Sequence, residues 1–238
     1  MSIYTPQFAP IVVLAFLGTV GVLILCACIV LVGALKKSRS AVLGGAGAGA
    51  IILVGYASIL FGLSLASRDV EITQGAWKYF CELDCHIAYA IGGMYVVTRV
   101  GPETQSVSAN GQFAIVQIKT WFDPATISPQ RGDGPLTPNG REIILVDDRG
   151  RKFAPSAKGE PVLATARLHS TPLRTSLRPG ESYVSYVVFE IPEDARGLKL
   201  LLTSSDTEGA LLWGDESSPL HRKAYFALPR TRTKLVTD

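Results

Sequence analysis

Charge is missing from most of the first third of the chain. The stretches Ala9–Leu35 and Ala41–Ser67 contain no charged side chain, and only the five residues between them are basic in character. About 20 apolar residues suffice to cross the roughly 30 Å hydrocarbon core of a bilayer as a helix. Both stretches exceed that length. The sequence therefore predicts two transmembrane α-helices joined as an antiparallel hairpin, with residues 1–67 as the membrane anchor.

The few charges near this hairpin predict its orientation. The loop of residues 36–40 carries Lys36, Lys37 and Arg39, whereas no charged side chain precedes the first span. Because positively charged loops stay on the cytoplasmic side, we expect this loop in the cytoplasm of a bacterium. The amino terminus and the C-terminal domain are then periplasmic, and the chain resides in the inner membrane. A cleaved signal peptide has a basic start and a shorter apolar core, so a retained span is favoured.

Catalytic and phosphate-binding motifs are also missing. The chain contains no nucleophile-elbow serine, no phosphate-binding loop and no zinc-protease helix motif. From Arg68 onwards, 20 basic residues balance 20 acidic ones. Since nucleic-acid binding requires a basic face, this balance argues against it. No small-molecule substrate is evident, so we expect a protein that is not an enzyme and needs no cofactor.

The second span is rich in glycine and alanine. Gly45 and Gly49 have the small-xxx-small spacing that allows close helix contact in lipid, and Gly55 and Gly62 extend the pattern. Two interpretations are open: these four residues pack on the first span, or they dock on another integral membrane subunit. We treat all four as candidate helix-docking positions.

The remainder of the chain is typical of short β-strands. Turn signals separate segments rich in β-branched and aromatic residues, and the double glycine at 92–93 predicts a bulge. The pattern predicts an all-β immunoglobulin-like sandwich over residues 86–238. Its candidate strands are His86–Thr98, Gln112–Phe122, Glu142–Asp147, Arg151–Ala154, Ala164–Leu168, Ser182–Ile191, Leu198–Thr203 and Ala224–Leu228.

Residues 68–85 are interpreted as a juxtamembrane junction between the anchor and this domain. Trp77, Tyr79 and Phe80 are candidate interface residues, since aromatic side chains near a span often lie at the headgroup level. The alternative is that they begin the core of the folded domain. Trp213 is a further interface candidate, in a polar stretch near the end of the chain.

Three pieces of the sequence carry a resemblance. They are FAIVQIKTWF at Phe113–Phe122, ILVDDRGRKFAP at Ile144–Pro155 and LRPGESYVSYVVFEIPEDA at Leu177–Ala195. Together they resemble the telokin-like, immunoglobulin-fold domains of bacterial secreted and membrane-anchored proteins. The third piece is the most specific, because such domains place a leucine-proline-glycine turn before a strand ending in phenylalanine-glutamate-valine-proline. The resemblance covers residues 86–205 and implies a fold, not an activity.

One cluster has the residue types for chemistry: Cys81, Cys85 and His86. The first interpretation is a Cys81–Cys85 disulfide, which requires a turn because two cysteines four apart on an extended strand lie about 13 Å apart. The second is covalent haem c, with His86 and Met94 as ligands, although the spacing is one residue longer than Cys-x-x-Cys-His. The third is copper held by the two thiolates and the imidazole. We favour the disulfide.

These observations lead to an expected function. We expect a non-catalytic accessory or scaffolding subunit of a larger inner-membrane complex, such as a respiratory or photosynthetic electron-transfer assembly. It would contact the bilayer and other integral membrane subunits. Two alternatives belong to other classes: a redox protein that carries haem c or copper at the cysteine–histidine cluster, and a free-standing envelope sensor or adhesion module.

Overall fold

The computed structural model describes residues 3–4, 9–80, 86–102, 106–127, 130–205 and 208–228. They divide into two compact units: residues 9–68 with 208–222, and residues 3–4 with 69–205 and 223–228. The elements are α1 (Ala9–Leu35), α2 (Arg39–Ala66), α3 (Gly159–Thr165), β1 (Ile3–Tyr4), β2 (Val70–Ile72), β3 (Trp77–Phe80), β4 (Ile87–Val100), β5 (Val107–Phe122), β6 (Arg141–Val146), β7 (Lys152–Phe153), β8 (Ser182–Ile191), β9 (Lys199–Ser204) and β10 (Ala224–Ala227).

The two long apolar helices predicted from the sequence are confirmed, and they form an antiparallel pair. Gly45 approaches Val30, and Gly49 approaches Cys26, so rising numbers on α2 meet falling numbers on α1. Cys26 and its neighbour Cys28 are both free thiols, as their spacing on a helix predicts.

A Schellman motif ends α1 at the basic loop. Lys37 has a φ of 56°, in the left-handed region. Its N–H donates to the carbonyl of Ala34 at 3.1 Å, and the N–H of Ser38 donates to the carbonyl of Gly33 at 2.8 Å. This pair of hydrogen bonds satisfies carbonyls at the helix end and reverses the chain within a few residues. The hairpin therefore presents its basic side chains at one end.

The second unit consists of two five-stranded sheets. Their strand orders are β1-β3-β4-β5-β8 and β2-β10-β9-β6-β7, with parallel pairing only of β1 with β3 and β2 with β10 among the described strands. One core of buried side chains joins the sheets, including Tyr89 and Met94 from β4, Phe189 from β8, and Leu200 and Phe226 from the opposite sheet. The described residues thus form a β-sandwich-like domain.

Most predicted strands lie close to observed ones, and the bulge is confirmed. The register between β4 and β5 shifts between Ile91 and Gly93, and the side-chain amide of Gln117 fills the space beside Gly92. Two expectations were wrong. The strand predicted to begin at Gln112 begins at Val107 in β5, and the junction expected at 68–85 contains β2 and β3, which pair within the two sheets.

The strand expected at Ala164–Leu168 was also wrong, because residues 159–165 form the helix α3. Pro161 lies in the first turn, where its missing N–H costs nothing. Val162 is buried against Phe113 on the outer side of β5. Burial under α3 explains why β5 is apolar on both sides of the sheet at this end.

The hairpin between β6 and β7 is held by one buried carboxylate. Asp147 accepts the N–H groups of Arg149 and Arg151 at 3.1 and 2.8 Å, and its other oxygen lies 2.7 Å from the Arg151 guanidinium. Arg151 also reaches Asp194 at 3.0 Å. This network shows that Asp147 stabilises the turn between the two strands.

Acid should weaken this hairpin. Burial alone would raise the pKa of Asp147, but the hydrogen bonds and charge of Arg151 hold that pKa below its ordinary value. Because the pKa is lower in the native state, ionised Asp147 stabilises the fold at pH values above its unfolded pKa of about 3.9. This stabilisation is lost as the pH falls through the native pKa. We expect Asp147→Asn to be less stable at pH 7 and to lose less stability on acidification below about pH 4. Urea unfolding of the detergent-solubilised chain at several pH values measures this. Asp148→Asn is the matched control, and parallel pH profiles for both variants would contradict the assignment.

Candidate functional site

Of the predicted cysteine–histidine cluster the structure describes only His86, which directly precedes β4. Phe80 pairs with Ile87, so the stretch from 81 to 86 connects two antiparallel neighbours. Cys81 and Cys85 lie outside the described residues, and their disulfide stays a prediction. His86 is buried, and its ring stacks on Phe122 at a centroid distance of 5.5 Å and an angle of 26°.

Asp123 ties this end of the domain together. Its N–H donates to the carbonyl of His86 at 2.8 Å, and its carboxylate accepts the hydroxyl of Tyr79 at 2.5 Å and the N–H of Ala125 at 2.8 Å. Burial, and then the hydrogen bond and charge of Asp123, raise the pKa of Tyr79. The phenol therefore stays protonated and donates its hydrogen bond across the physiological pH range. The strands on both sides of the predicted cluster are rigidly held.

Met94 is not brought to His86. It is 1% exposed in the core between the two sheets. It follows His86 by eight residues along β4, which corresponds to about 25 Å at roughly 3.3 Å per residue. The two side chains therefore cannot ligate one haem or copper ion. Within the described ranges no group of three or more histidine, cysteine, aspartate or glutamate side chains forms a metal site.

The three aromatic interface candidates of the junction are part of the β domain. Trp77 and Tyr79 are buried, and Trp77 packs against Trp121 at a ring distance of 5.2 Å. Phe80 points to the other side of β3 and packs on the main core, with its ring 5.5 Å from Tyr89. Their burial agrees with the alternative interpretation, in which these residues begin the core of the folded domain, and their level in a membrane stays a prediction.

The four candidate docking glycines separate into two pairs. A side chain at Gly45 would meet Val30 at 3.0 Å, and one at Gly49 would meet Cys26 at 3.5 Å, so both pack on α1. No described atom lies within 4 Å of the position that a side chain at Gly55 or Gly62 would occupy. The first pair closes the hairpin, and only the second pair is open.

Trp213, the remaining interface candidate, belongs to the unit that contains the helices. Its ring lies 4.8 Å from the ring of Tyr56 on α2. Sequence reasoning missed Tyr56, because a tyrosine inside a long apolar stretch gives no signal of the partner that it will meet 157 residues later.

Sequence reasoning also missed the buried lysine of β3. Lys78 is 1% exposed, and its Nζ donates to the carbonyl of Leu202 at 2.7 Å and to that of Ala224 at 3.4 Å. The amine lies 5.0 Å from the Phe80 ring, and the guanidinium of Arg141 lies 4.0 Å from the same ring. Lys78 therefore links its own sheet to β9 and β10 of the other. The only hint of this burial in the sequence comes from Trp77 and Tyr79. These two neighbours occupy the side of β3 where a lysine would otherwise be expected, so Lys78 lies on the opposite side.

No protein-family model matches this chain. No curated protein matches it either. Two solved structures are similar. A conserved hypothetical protein from Bacillus anthracis is 14% identical, with 52% of this chain and 89% of that chain covered and a TM-score of 0.38. The secreted protein MPT63 from Mycobacterium tuberculosis is 9% identical, with 68% and 99% covered and a TM-score of 0.42. A β-sandwich is compatible with both similarities, and no conclusion about function follows from them.

The lysine link between the sheets makes a testable prediction. Lys78→Ala leaves a cavity and removes the donor from two buried carbonyls, so we expect a loss of roughly 3 kcal/mol in the free energy of unfolding. Lys78→Met keeps most of the volume and should cost about half as much. Lys119→Ala is the control, because that lysine is exposed on β5, two strands away in the same sheet. Urea unfolding followed by tryptophan fluorescence measures all three, and an effect of Lys78→Ala no larger than that of the control would contradict the link.

Proposed function

We propose that this chain is a two-span integral protein of a bacterial inner membrane that holds an immunoglobulin-like β-sandwich in the periplasm. In this proposal the protein is a non-catalytic accessory or scaffolding subunit of a larger membrane complex. The helices anchor it and dock on other membrane subunits, and the β domain presents a binding surface outside the bilayer.

One observation carries the proposal: the apolar side chains of both helices face outward. Among the described residues, 19 of the 22 exposed large hydrophobic side chains lie on α1 and α2. The core helix of a soluble domain would bury such residues, and these helices bury few of theirs. In water this surface would drive aggregation, whereas a bilayer solvates it. The exposed apolar surface therefore supports a lipid environment for both helices.

The basic turn supports the proposed orientation. Lys36, Lys37 and Arg39 lie at the closed end of an antiparallel hairpin, so one end of the anchor carries all of its charge. Such a turn is retained in the cytoplasm. Both open ends of the hairpin then lie on the periplasmic side, which is where the β domain follows α2.

A pair of reporter fusions tests this topology. A reporter that is active only in the periplasm should work when fused after Asp238, and a reporter that fluoresces only in the cytoplasm should stay dark there. Inserted in loop 36–40, the same two reporters should give the reverse result. Equal behaviour at both sites, or recovery of the protein in the soluble fraction, would overturn the proposal.

The open glycines of α2 support docking on a second membrane subunit. Gly44, Gly55 and Gly62 lie within about 20° of one another around the helix, and about 110° from the side where Gly45 and Gly49 meet α1. No described atom lies within 4 Å of a side chain built at any of these three. Small residues on a free face let another helix approach closely. The face formed by Gly44, Gly55 and Gly62 is therefore the proposed docking face.

Bulky side chains on this face should release the chain from its complex. We expect Gly55→Leu combined with Gly62→Leu to shift its migration from a large assembly to a species near its own 25.5 kDa plus detergent. Gly47→Leu is the matched control, because Gly47 is equally open but lies about 80° round the helix from Gly55. Native electrophoresis of mild-detergent extracts gives the result. Migration of the unaltered chain as a lone species would count against a subunit role.

A further inference from the structure

The segment of residues 208–222 is set apart by its exposed apolar side chains. It belongs to the same compact unit as the two helices. Among the described residues, only three large hydrophobic side chains outside α1 and α2 are exposed: Val70, Leu211 and Leu220. Two of the three lie in this segment. Leu211 is 53% exposed, although its own carbonyl and the nearby ring of Trp213 both contact Tyr56 of α2.

Three aromatic rings and two hydrogen bonds connect the segment to the helices. The hydroxyl of Tyr56 donates to the carbonyl of Leu211 at 2.5 Å, and the Tyr56 ring lies 4.8 Å from Trp213. The ring of Phe16 on α1 lies 6.3 Å from the ring of Tyr56. Further along, the N–H of Arg222 donates to the hydroxyl of Ser67 at 2.8 Å. The segment therefore runs along the last part of α2.

Helix geometry gives the level of these rings in a bilayer. Tyr56 follows Arg39 by 17 residues, which is about 26 Å at 1.5 Å per residue. Phe16 precedes Lys36 by 20 residues, which is about 30 Å. If the basic loop lies at the inner headgroups, both estimates place the rings at the outer edge of a hydrocarbon core about 30 Å thick. Tyrosine and tryptophan are enriched at that level.

The backbone of the segment satisfies its own hydrogen bonds in a way that suits this level. Residues 208–211 form a 3-10 turn, and the N–H of Leu212 donates to the carbonyl of Gly209 at 3.0 Å. The Asp215 carboxylate accepts the N–H of Ser217 at 2.7 Å, and the hydroxyl of Ser218 donates to the carbonyl of Leu212. Fewer polar backbone groups then need water at the edge of the core.

We propose that residues 208–222 form an interfacial membrane element, and that its partner is the outer leaflet of the bilayer. Leu211 enters the upper acyl chains, and Trp213 and Tyr56 lie at the headgroup boundary. The inference rests on the proposed anchoring of α1 and α2. It adds a third lipid contact, made by a part of the chain that lies between β9 and β10 and has no long apolar stretch.

Site-specific crosslinking tests this element in the full-length protein. A photoreactive benzoylphenylalanine replaces Leu211, Ile51 or Lys152 in separate variants, which are reconstituted into nanodiscs that contain alkyne-tagged phosphatidylethanolamine. Ile51 is 76% exposed in the middle of α2 and is the lipid reference, and Lys152 is exposed on β7 and is the matched control. We expect lipid adducts at Leu211 in a yield close to that at Ile51 and well above that at Lys152.

The other outcomes separate the two proposals. Lipid adducts at Ile51 without adducts at Leu211, or adducts of Leu211 with a protein, would overturn the interfacial element and leave the anchor intact. Absence of adducts at Ile51 would overturn the anchor itself. A second measurement needs no change at Leu211. The emission of Trp213 is obtained as the difference in fluorescence between the unaltered chain and Trp213→Phe, and lipids that carry a quencher near the headgroup should reduce it. Trp213 emission that these lipids do not reduce would also overturn the inference.

Discussion

Apart from Arg39 at the start of α2, the two long helices carry no charge, and this constrains the rest of the structure. A helix with apolar side chains on every side has no face suited to water, which favours lipid or other helices as its surroundings. The hairpin also limits how the two helices meet. Gly45 approaches Val30 and the carbonyl of Cys26 so closely that a larger residue would push the helices apart. Packing at this point occupies one side of α2 and leaves the rest of its circumference to other contacts.

The β domain depends on a different kind of contact. Its two sheets share an apolar core, yet a lysine crosses that core to reach carbonyls of the opposite sheet. A buried amine is costly unless its donors are used, so Lys78 permits only the arrangement of sheets that supplies Leu202 and Ala224 as acceptors. The hydrogen bonds of Asp123 have a similar effect on the stretch around His86, because they fix the strands on both sides of the connection.

Much of the fold was predictable from local pattern, and the misses have physical causes. The bounds of β8, Ser182–Ile191, were predicted as observed, because alternation and a preceding Pro-Gly turn act locally. α3 was missed because seven residues are too few to show a helical period in the sequence. Its helical form depends on a tertiary contact, the packing of Val162 against Phe113. The burial of Lys78 and the stacking of Trp213 on Tyr56 join residues more than 100 positions apart. Neither local sequence names the distant partner of such a pairing.

The parallel pairing of β2 with β10 has a consequence for the order of events during biosynthesis. Val70 lies beside Ala224, and Ile72 lies beside Phe226, although about 150 residues separate them along the chain. β10 is an inner strand of its sheet, between β2 and β9. The edge strand β2 is synthesised early and has no ladder to join until β10 has also been made. Contacts of such long range form slowly and leave strands exposed in the meantime. In a growing chain β2 therefore stays unpaired until nearly all of the β domain has been synthesised.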